Sequence, residues 1–394
     1  MYLPDTNIFI LGLRGHEPEA SFLAKAISQN KLVISVVAMG EFLAKADSEV
    51  ELGFLRLVER FKVLSIDQVV AKIAGEYRKE SFKTKKFMTL STTLQNELKE
   101  MFGEEVAFDV ALSQHTNIRV GGPADALVWP SNAEQLQKII LWAKEKKIPY
   151  FILGKGSNTL VRDKGFRGLV INLGKGFREF GLTKEEGDHV FVQAQGGVPT
   201  QQFVRWCVEQ GFAGIECLAG VPGTIGGNVF MNAGTYLGEV GALVEEVQVC
   251  DAKGKIQTLP KTKLQFEYRH SNIPPSSVVI ATVLKLKKVG KEKIEAKVRE
   301  VFEKRGLAQP IEMPNLGSVF KNPPKKKAWE LIEEAGCKGG RVGNARVSEK
   351  HANFIVNEGD AKAKDVLILI SMIKDKVKEA SGILLETEIK VIGE

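Results

Sequence analysis

The sequence predicts an α+β chain of more than one domain, on three observations. With 394 residues it is too long for a single hydrophobic core. Its helix-period and strand-period segments follow one another without the strict βαβ alternation of a doubly wound sheet. Residues 211–240 set eight glycines among apolar residues as dense as a buried core, a pattern that belongs to neither period.

The elements follow in chain order. Ahead of residue 87, short apolar runs at 31–35 and 61–64 alternate with helical patterns at 37–46 and 69–77, which is a small α/β unit. The charge run from Arg78 to Lys86 reads as a solvated linker, and Met88 is placed to start an independent coding unit. Beyond it, residues 93–102 and 133–146 read as amphipathic helices, 149–153 as a short buried strand and 189–195 as a further strand. Residues 199–210 read as a helix with Pro199 in the first turn, where no N–H is needed, and Gly211 just past the end. A strand at 277–287, helices at 292–305, 327–335 and 363–380, and a closing strand at 384–392 complete the chain. The expected domains are residues 1–86, 87–288 and 289–394.

Composition narrows the function class. With 44% hydrophobic and 26% charged residues, no basic leader, and no window near the roughly 18 apolar residues of a membrane span, the expectation is a cytoplasmic protein without a membrane partner. Cys207, Cys217, Cys250 and Cys337 form no CxxC pair and read as small core residues. The five histidines are scattered without ligand spacing, so no metal centre is expected. A net charge of +7 is mild for this length, and no basic face interleaves with aromatics, so no nucleic-acid partner is expected; an anionic small molecule suits the charge as well. Oligomeric state is not legible.

Two glycine loops carry the chemistry. Glycine costs backbone entropy and packs nothing, so clustering it beside Ile215, Leu218, Val221 and Ile225 points to bare N–H groups approaching a phosphate-bearing cofactor, against the alternative of ordinary turns. The second loop, Gly154-Lys155-Gly156-Ser157-Asn158, follows directly on the strand at 149–153. Thr159 stands where the third glycine of GxGxxG would be, and GxxxxGK[ST] is absent, so the loop geometry is neither Rossmann nor P-loop.

Read with their flanks, these loops resemble the UDP-N-acetylenolpyruvoylglucosamine reductase family over residues 90–394. The segments that carry the resemblance stand in order: HTNIRVGGPAD at 115–125, GKGSN at 154–158 with Leu160-Val161, GVPGTIGG at 220–227 with Asn232-Ala233-Gly234, Tyr268-Arg269, GSVFKNP at 317–323, SEKHANF at 348–354 and LETE at 385–388. The resemblance implies a two-lobed FAD-binding domain of the vanillyl-alcohol-oxidase type followed by an α+β substrate domain. It implies FAD as cofactor, NADPH as reductant and an enolpyruvyl sugar nucleotide as substrate. Gly154, Gly156, Ser157 and Asn158 would lie on the pyrophosphate side, with Gly223, Thr224, Gly226 and Gly227 as the second wall. Arg269 would face the developing enediolate, Glu388 would help organise it, Ser318 would donate the proton to carbon, and Asn322 would touch substrate. Ala308 stands where many members carry a lysine for the substrate phosphates, leaving Lys304 or Arg305 to substitute.

The first residues have a resemblance of their own. Segments YLPDTNI at 2–8 and SVVAMGEF at 35–42 look like the first two acidic motifs of PIN-type ribonucleases, with Asp5 and Glu41 as metal-binding carboxylates. The later acidic motifs do not follow, so the segment reads as truncated. Two rival functions stay open on sequence: a metal-dependent ribonuclease with a flavoprotein appendage, and a flavin oxidase acting on another substrate.

Overall fold

The computed structural model describes residues 19–29, 34–35, 63–64 and 90–394. The chain divides into two compact units, Met1–Phe87 and Met88–Glu394. In the first, helix Glu19–Ser28 buries Leu23 and Ala26, and strands Ile34–Ser35 and Val63–Leu64 pair in parallel. The expected helical stretches at 37–46 and 69–77, and the candidate carboxylates Asp5 and Glu41, lie outside the described residues.

The second unit opens with a four-stranded sheet in the order Val106–Ala111, Pro123–Val128, Phe166–Ile171, Tyr150–Ile152, antiparallel at its first pair and parallel at the other two. Helices Thr92–Phe102 and Ala133–Glu145 lie where the 3.6-residue pattern puts them. Each is started by a side chain that accepts an otherwise orphan N–H, Ser91 from Leu94 N at 3.3 Å and Asn132 from Gln135 N at 2.9 Å. Tyr150–Ile152 is only half-buried, contrary to the buried strand expected, because it forms the edge of the sheet.

A six-stranded antiparallel sheet follows, with Val278–Lys288 at its centre between His189–Gln195 and Val244–Cys250. The first five residues of Val278–Lys288 are all buried, because apolar residues pack on both faces there. Val278 and Ile280 join Leu136, Ile139 and Ile171 in one core, and that core ties the two sheets together. On the other face Val279 and Leu284 meet Phe203, Val204 and Cys207 of helix Thr200–Gln210. That helix ends at Gly211 in the left-handed region, φ 72°, where glycine carries no Cβ penalty. Helix Lys291–Ala308 contributes Ile294 to this same core, so packing carries it past residue 288.

The remaining chain forms a three-stranded antiparallel sheet, Arg341–Val342, Ala345–Val347 and Ile355–Asn357, against helices Ala328–Glu334 and Ala363–Ser381. Of the closing strand expected at 384–392 only Lys390–Ile392 is regular, pairing in parallel with Thr159–Val161. Residues before it change partner: Glu388 N donates to Val319 O at 2.8 Å and Lys321 N to Glu386 O at 2.9 Å, around an isolated bridge between Phe320 and Thr387. This switch sets Glu388 between the segment of Ser318 and the first glycine loop.

Candidate active site

The strand Tyr150–Ile152 delivers the chain into residues 154–158, where three of the five carbonyls are engaged. The carbonyls of Leu153 and Gly154 accept from Asn172 Nδ2 at 2.9 and 3.0 Å, that of Gly156 from Asn117 N at 3.1 Å, and that of Asn158 from Lys390 N at 2.9 Å. Among the described residues none of the N–H groups of residues 154–158 is donated to another protein group, and the carbonyls of Lys155 and Ser157 are unengaged as well. A run of donors left over beside a cavity is suited to an anion such as a pyrophosphate. Gly156 has a second reason to be glycine: its φ is 63°, and a Cβ there would sit 2.3 Å from His115 O.

The opposite wall comes from the other glycine stretch. Thr224 caps helix Ile225–Phe230 by accepting from Gly227 N at 3.4 Å, and Ser157 Oγ lies 3.4 Å from Pro222 O, so the two loops touch. Gly226 is needed for packing, since its Cβ would come within 2.9 Å of Gly196 O. Gly227 is not: a Cβ would meet only Thr224 Oγ1, at an ordinary 3.6 Å. The ligand and turn readings therefore separate at this residue. Gly227→Ala is expected to leave the stability of the flavin-free protein unchanged or raised by about 1 kcal/mol, as alanine for glycine does within a helix, while weakening flavin retention. Gly156→Ala is expected to cost about 2 kcal/mol or more by strain and clash. Urea unfolding with flavin titration checks both, and full flavin affinity in Gly227→Ala would favour the turn reading.

Both loops line one cavity of about 780 Å³, and Arg269, Ser318 and Glu388 line it too. Arg269, at φ 56°, donates from Nε to Glu388 Oε1 at 3.2 Å and from Nη1 to Glu239 Oε1 at 2.9 Å, with its guanidinium 4.7 Å from the Tyr268 ring. Burial pushes the Glu388 carboxyl above the ordinary glutamate range, and the adjacent Arg269 only partly offsets this. Ser318 follows Gly317, which turns at φ 70° with its N–H on Asn315 Oδ1 at 2.8 Å. The Ser318 hydroxyl has no hydrogen-bond partner among the described residues.

Asn322 stands apart from the cavity lining. Its Oδ1 accepts from Ala328 N at 2.9 Å, at the start of helix Ala328–Glu334, and its Nδ2 lies 3.3 Å from Tyr268 Oη. Of the two cations left to replace a lysine at 308, Lys304 bonds Glu300 at 2.5 Å and lies outside the lining, whereas Arg305 lines the cavity. The Arg305 guanidinium is largely desolvated, which pushes its pKa down, and it has no hydrogen-bond or ion-pair partner among the described residues. Sequence reasoning gave no role to Glu239, Asn232 or Tyr268; Asn232 and Tyr268 sat in segments that carry the resemblance, and for Glu239 the signal was an acid closing a glycine-rich stretch. Among the described residues no group of three or more His, Cys, Asp or Glu is close enough to hold a metal ion, and no helix is long and apolar enough to cross a membrane.

The chain resembles known proteins along most of its length. A family model for an FAD binding domain matches residues 124–260, one for the UDP-N-acetylenolpyruvoylglucosamine reductase C-terminal domain matches 309–392, and one for a PIN domain matches 2–98. A UDP-N-acetylenolpyruvoylglucosamine reductase from Syntrophus aciditrophicus is 39% identical over 301 residues, 76% of this chain and 96% of the relative. One from Syntrophotalea carbinolica is 42% identical over 297 residues, 75% of this chain and 97% of the relative. The crystal structure of UDP-N-acetylenolpyruvylglucosamine reductase from Thermus caldophilus superposes with a TM-score of 0.62 at 37% identity, covering 73% of this chain and 98% of that one. Whole proteins of a single kind thus match about three quarters of the chain, and the chain belongs to the UDP-N-acetylenolpyruvoylglucosamine reductase family.

Proposed function

We propose that the chain reduces UDP-N-acetylenolpyruvoylglucosamine to UDP-N-acetylmuramate in peptidoglycan precursor synthesis, with FAD as bound cofactor and NADPH as reductant. The observation that carries this reading is one cavity that has the unengaged backbone N–H groups of residues 154–158 along one wall and the Arg269–Glu388 pair beside Ser318 on another. The flavin, when bound and reduced, supplies the hydride that the enolpyruvyl double bond takes up. Residues 154–158 hold its pyrophosphate through their N–H groups, and Gly227 leaves room along the second wall.

The remaining roles belong to the part of the chain that faces the substrate. Hydride addition leaves negative charge spread into the substrate carboxylate, and Arg269 is the cation placed to stabilise it. Glu388, which holds Arg269 at Nε and whose carboxyl burial pushes above the ordinary glutamate range, is the acidic partner that helps organise that charge. Ser318 donates the proton to the other carbon. Its unengaged hydroxyl suits that task, and the acidity it lacks in water is offset by the basicity of the carbanion it meets. Arg305, partly buried at the cavity and without a protein partner among the described residues, is the partner for a substrate phosphate in place of a lysine at 308. The proposed site of action is the cytoplasm. Purified protein should be yellow with a flavin absorbance spectrum; colourless protein that no added FAD restores would overturn the assignment.

Residues 1–86 are assigned no chemistry of their own. Asp5 and Glu41 are few carboxylates for a hard divalent cation that must also hold a phosphodiester. The cut between Phe87 and Met88 falls between compact units, so a chain starting at Met88 is expected to keep kcat/KM within about twofold of full length. Magnesium- or manganese-dependent RNA cleavage by the full-length protein, abolished by Asp5→Asn, would restore a ribonuclease to it.

A further inference from the structure

Arg269 must present its guanidinium in one orientation to stabilise charge on a small carboxylate, yet an arginine side chain is long and freely rotating. Glu388 alone, bonded at Nε, would leave the outer nitrogens free to swing. The hairpin of Gly234–Thr235 with Gly238–Glu239 supplies a second anchor, since Gly234 and Glu239 are register partners across it. Glu239 Oε1 takes Arg269 Nη1 at 2.9 Å, and its other oxygen takes Asn232 Nδ2 at 2.7 Å.

Asn232 is a rigid post. It is 1% exposed and sits in the left-handed region at φ 47°. Its amide also donates to Glu267 O at 2.8 Å, while its Oδ1 accepts from Gly241 N at 2.9 Å. Any side chain at 241 would strike Phe266 Cγ at 2.4 Å and Asn232 Oδ1 at 2.7 Å. Held this way, Arg269 has two of its nitrogens committed to carboxylates on different elements, and Nη2 makes only a long 3.4 Å contact with Gly234 O.

We propose that Glu239, fixed by Asn232, is the positioning residue that holds the Arg269 guanidinium so that Nη2 is turned to the substrate carboxylate. The assignment rests on the reductase reading given above. It carries a signature that a merely structural role lacks. A second carboxylate beside Arg269 opposes binding of an anionic substrate and is useful only if orientation in the transition state outweighs that cost, so its loss lowers kcat without raising KM.

The test is Glu239→Ala and Glu239→Gln in the flavin-loaded full-length protein, alone and combined with Arg269→Lys, followed by anaerobic stopped-flow of each half-reaction. Expected for Glu239→Ala is a fall of about 10- to 100-fold in reoxidation by the enolpyruvyl sugar nucleotide, set against the larger loss from removing a charge-stabilising donor outright. KM should be unchanged or lower and reduction by NADPH intact, with partial rescue in Glu239→Gln, which keeps one acceptor for Nη1. In the Arg269→Lys background the further loss should largely vanish. Full additivity with Arg269→Lys, an equal slowing of the NADPH step, or wild-type kinetics in Glu239→Ala would each overturn the positioning role. If the wild-type protein itself fails to turn over, the reductase reading falls instead, so the two failures are distinguishable.

Discussion

Ser318→Ala is expected to leave reduction of the bound flavin by NADPH within about twofold of wild type and to slow reoxidation by the enolpyruvyl substrate by about 10²- to 10⁴-fold, the range that a positioned proton donor contributes. The asymmetry follows from the chemistry, because only the substrate half-reaction places a proton on carbon. It also follows from the local structure. Among the described residues the Ser318 hydroxyl makes no hydrogen bond, whereas its neighbours Gly317 and Val319 are held through their own N–H groups by Asn315 Oδ1 and Asn353 O. Removing the hydroxyl should therefore cost little stability, and thermal unfolding serves as the control. Anaerobic stopped-flow absorbance follows the halves separately; equal slowing of both, or of neither, would remove Ser318 from the reaction.

The second large effect is expected from Arg269→Lys. An ammonium keeps the charge but not the planar fork, and it cannot address Glu388 and Glu239 from two nitrogens while a third faces the substrate. Loss of one preorganised donor of this kind costs about 10²- to 10³-fold in rate. The loss should fall on kcat of the substrate half-reaction, and flavin reduction by NADPH should persist. Substrate-dependent turnover equal to wild type would make Arg269 peripheral and would remove the reason for Glu239 and Glu388 to converge on it.

How much of this was legible in the sequence depends on the range of the interaction that decides each feature. Helices such as Thr92–Phe102, Ala133–Glu145 and Ala363–Ser381 are set by local periodicity and by caps within a few residues, so their positions follow from the residues themselves. The closing segment is different. Residues 385–388 look like the start of a strand that continues to 392, but their partners lie at 319–321 and those of 390–392 at 159–161, and nothing local encodes that change. The same holds for the site. Arg269, Ser318 and Glu388 could be named because they sit in recognisable segments, while Glu239 sits in none and gains meaning only from a hairpin that folds an acid back onto an arginine thirty residues on. Asn322 shows the converse. It stands in a segment that carries the family resemblance, yet its carbonyl is spent on the first turn of Ala328–Glu334 and it lies off the cavity lining. The glycines divide between both explanations, Gly156 and Gly226 answering to close backbone approach and Gly227 to open space beside the cavity.

The most direct test of the reductase assignment is anaerobic NADPH oxidation by the full-length protein, with and without UDP-N-acetylenolpyruvoylglucosamine, with the product weighed by mass spectrometry. The expected result is consumption that depends on the sugar nucleotide, one NADPH per substrate, and a product heavier by two hydrogens than the substrate. Sustained NADPH consumption only when oxygen is admitted, with the sugar nucleotide recovered unchanged, would contradict the assignment and make the protein an oxidase built on the same fold.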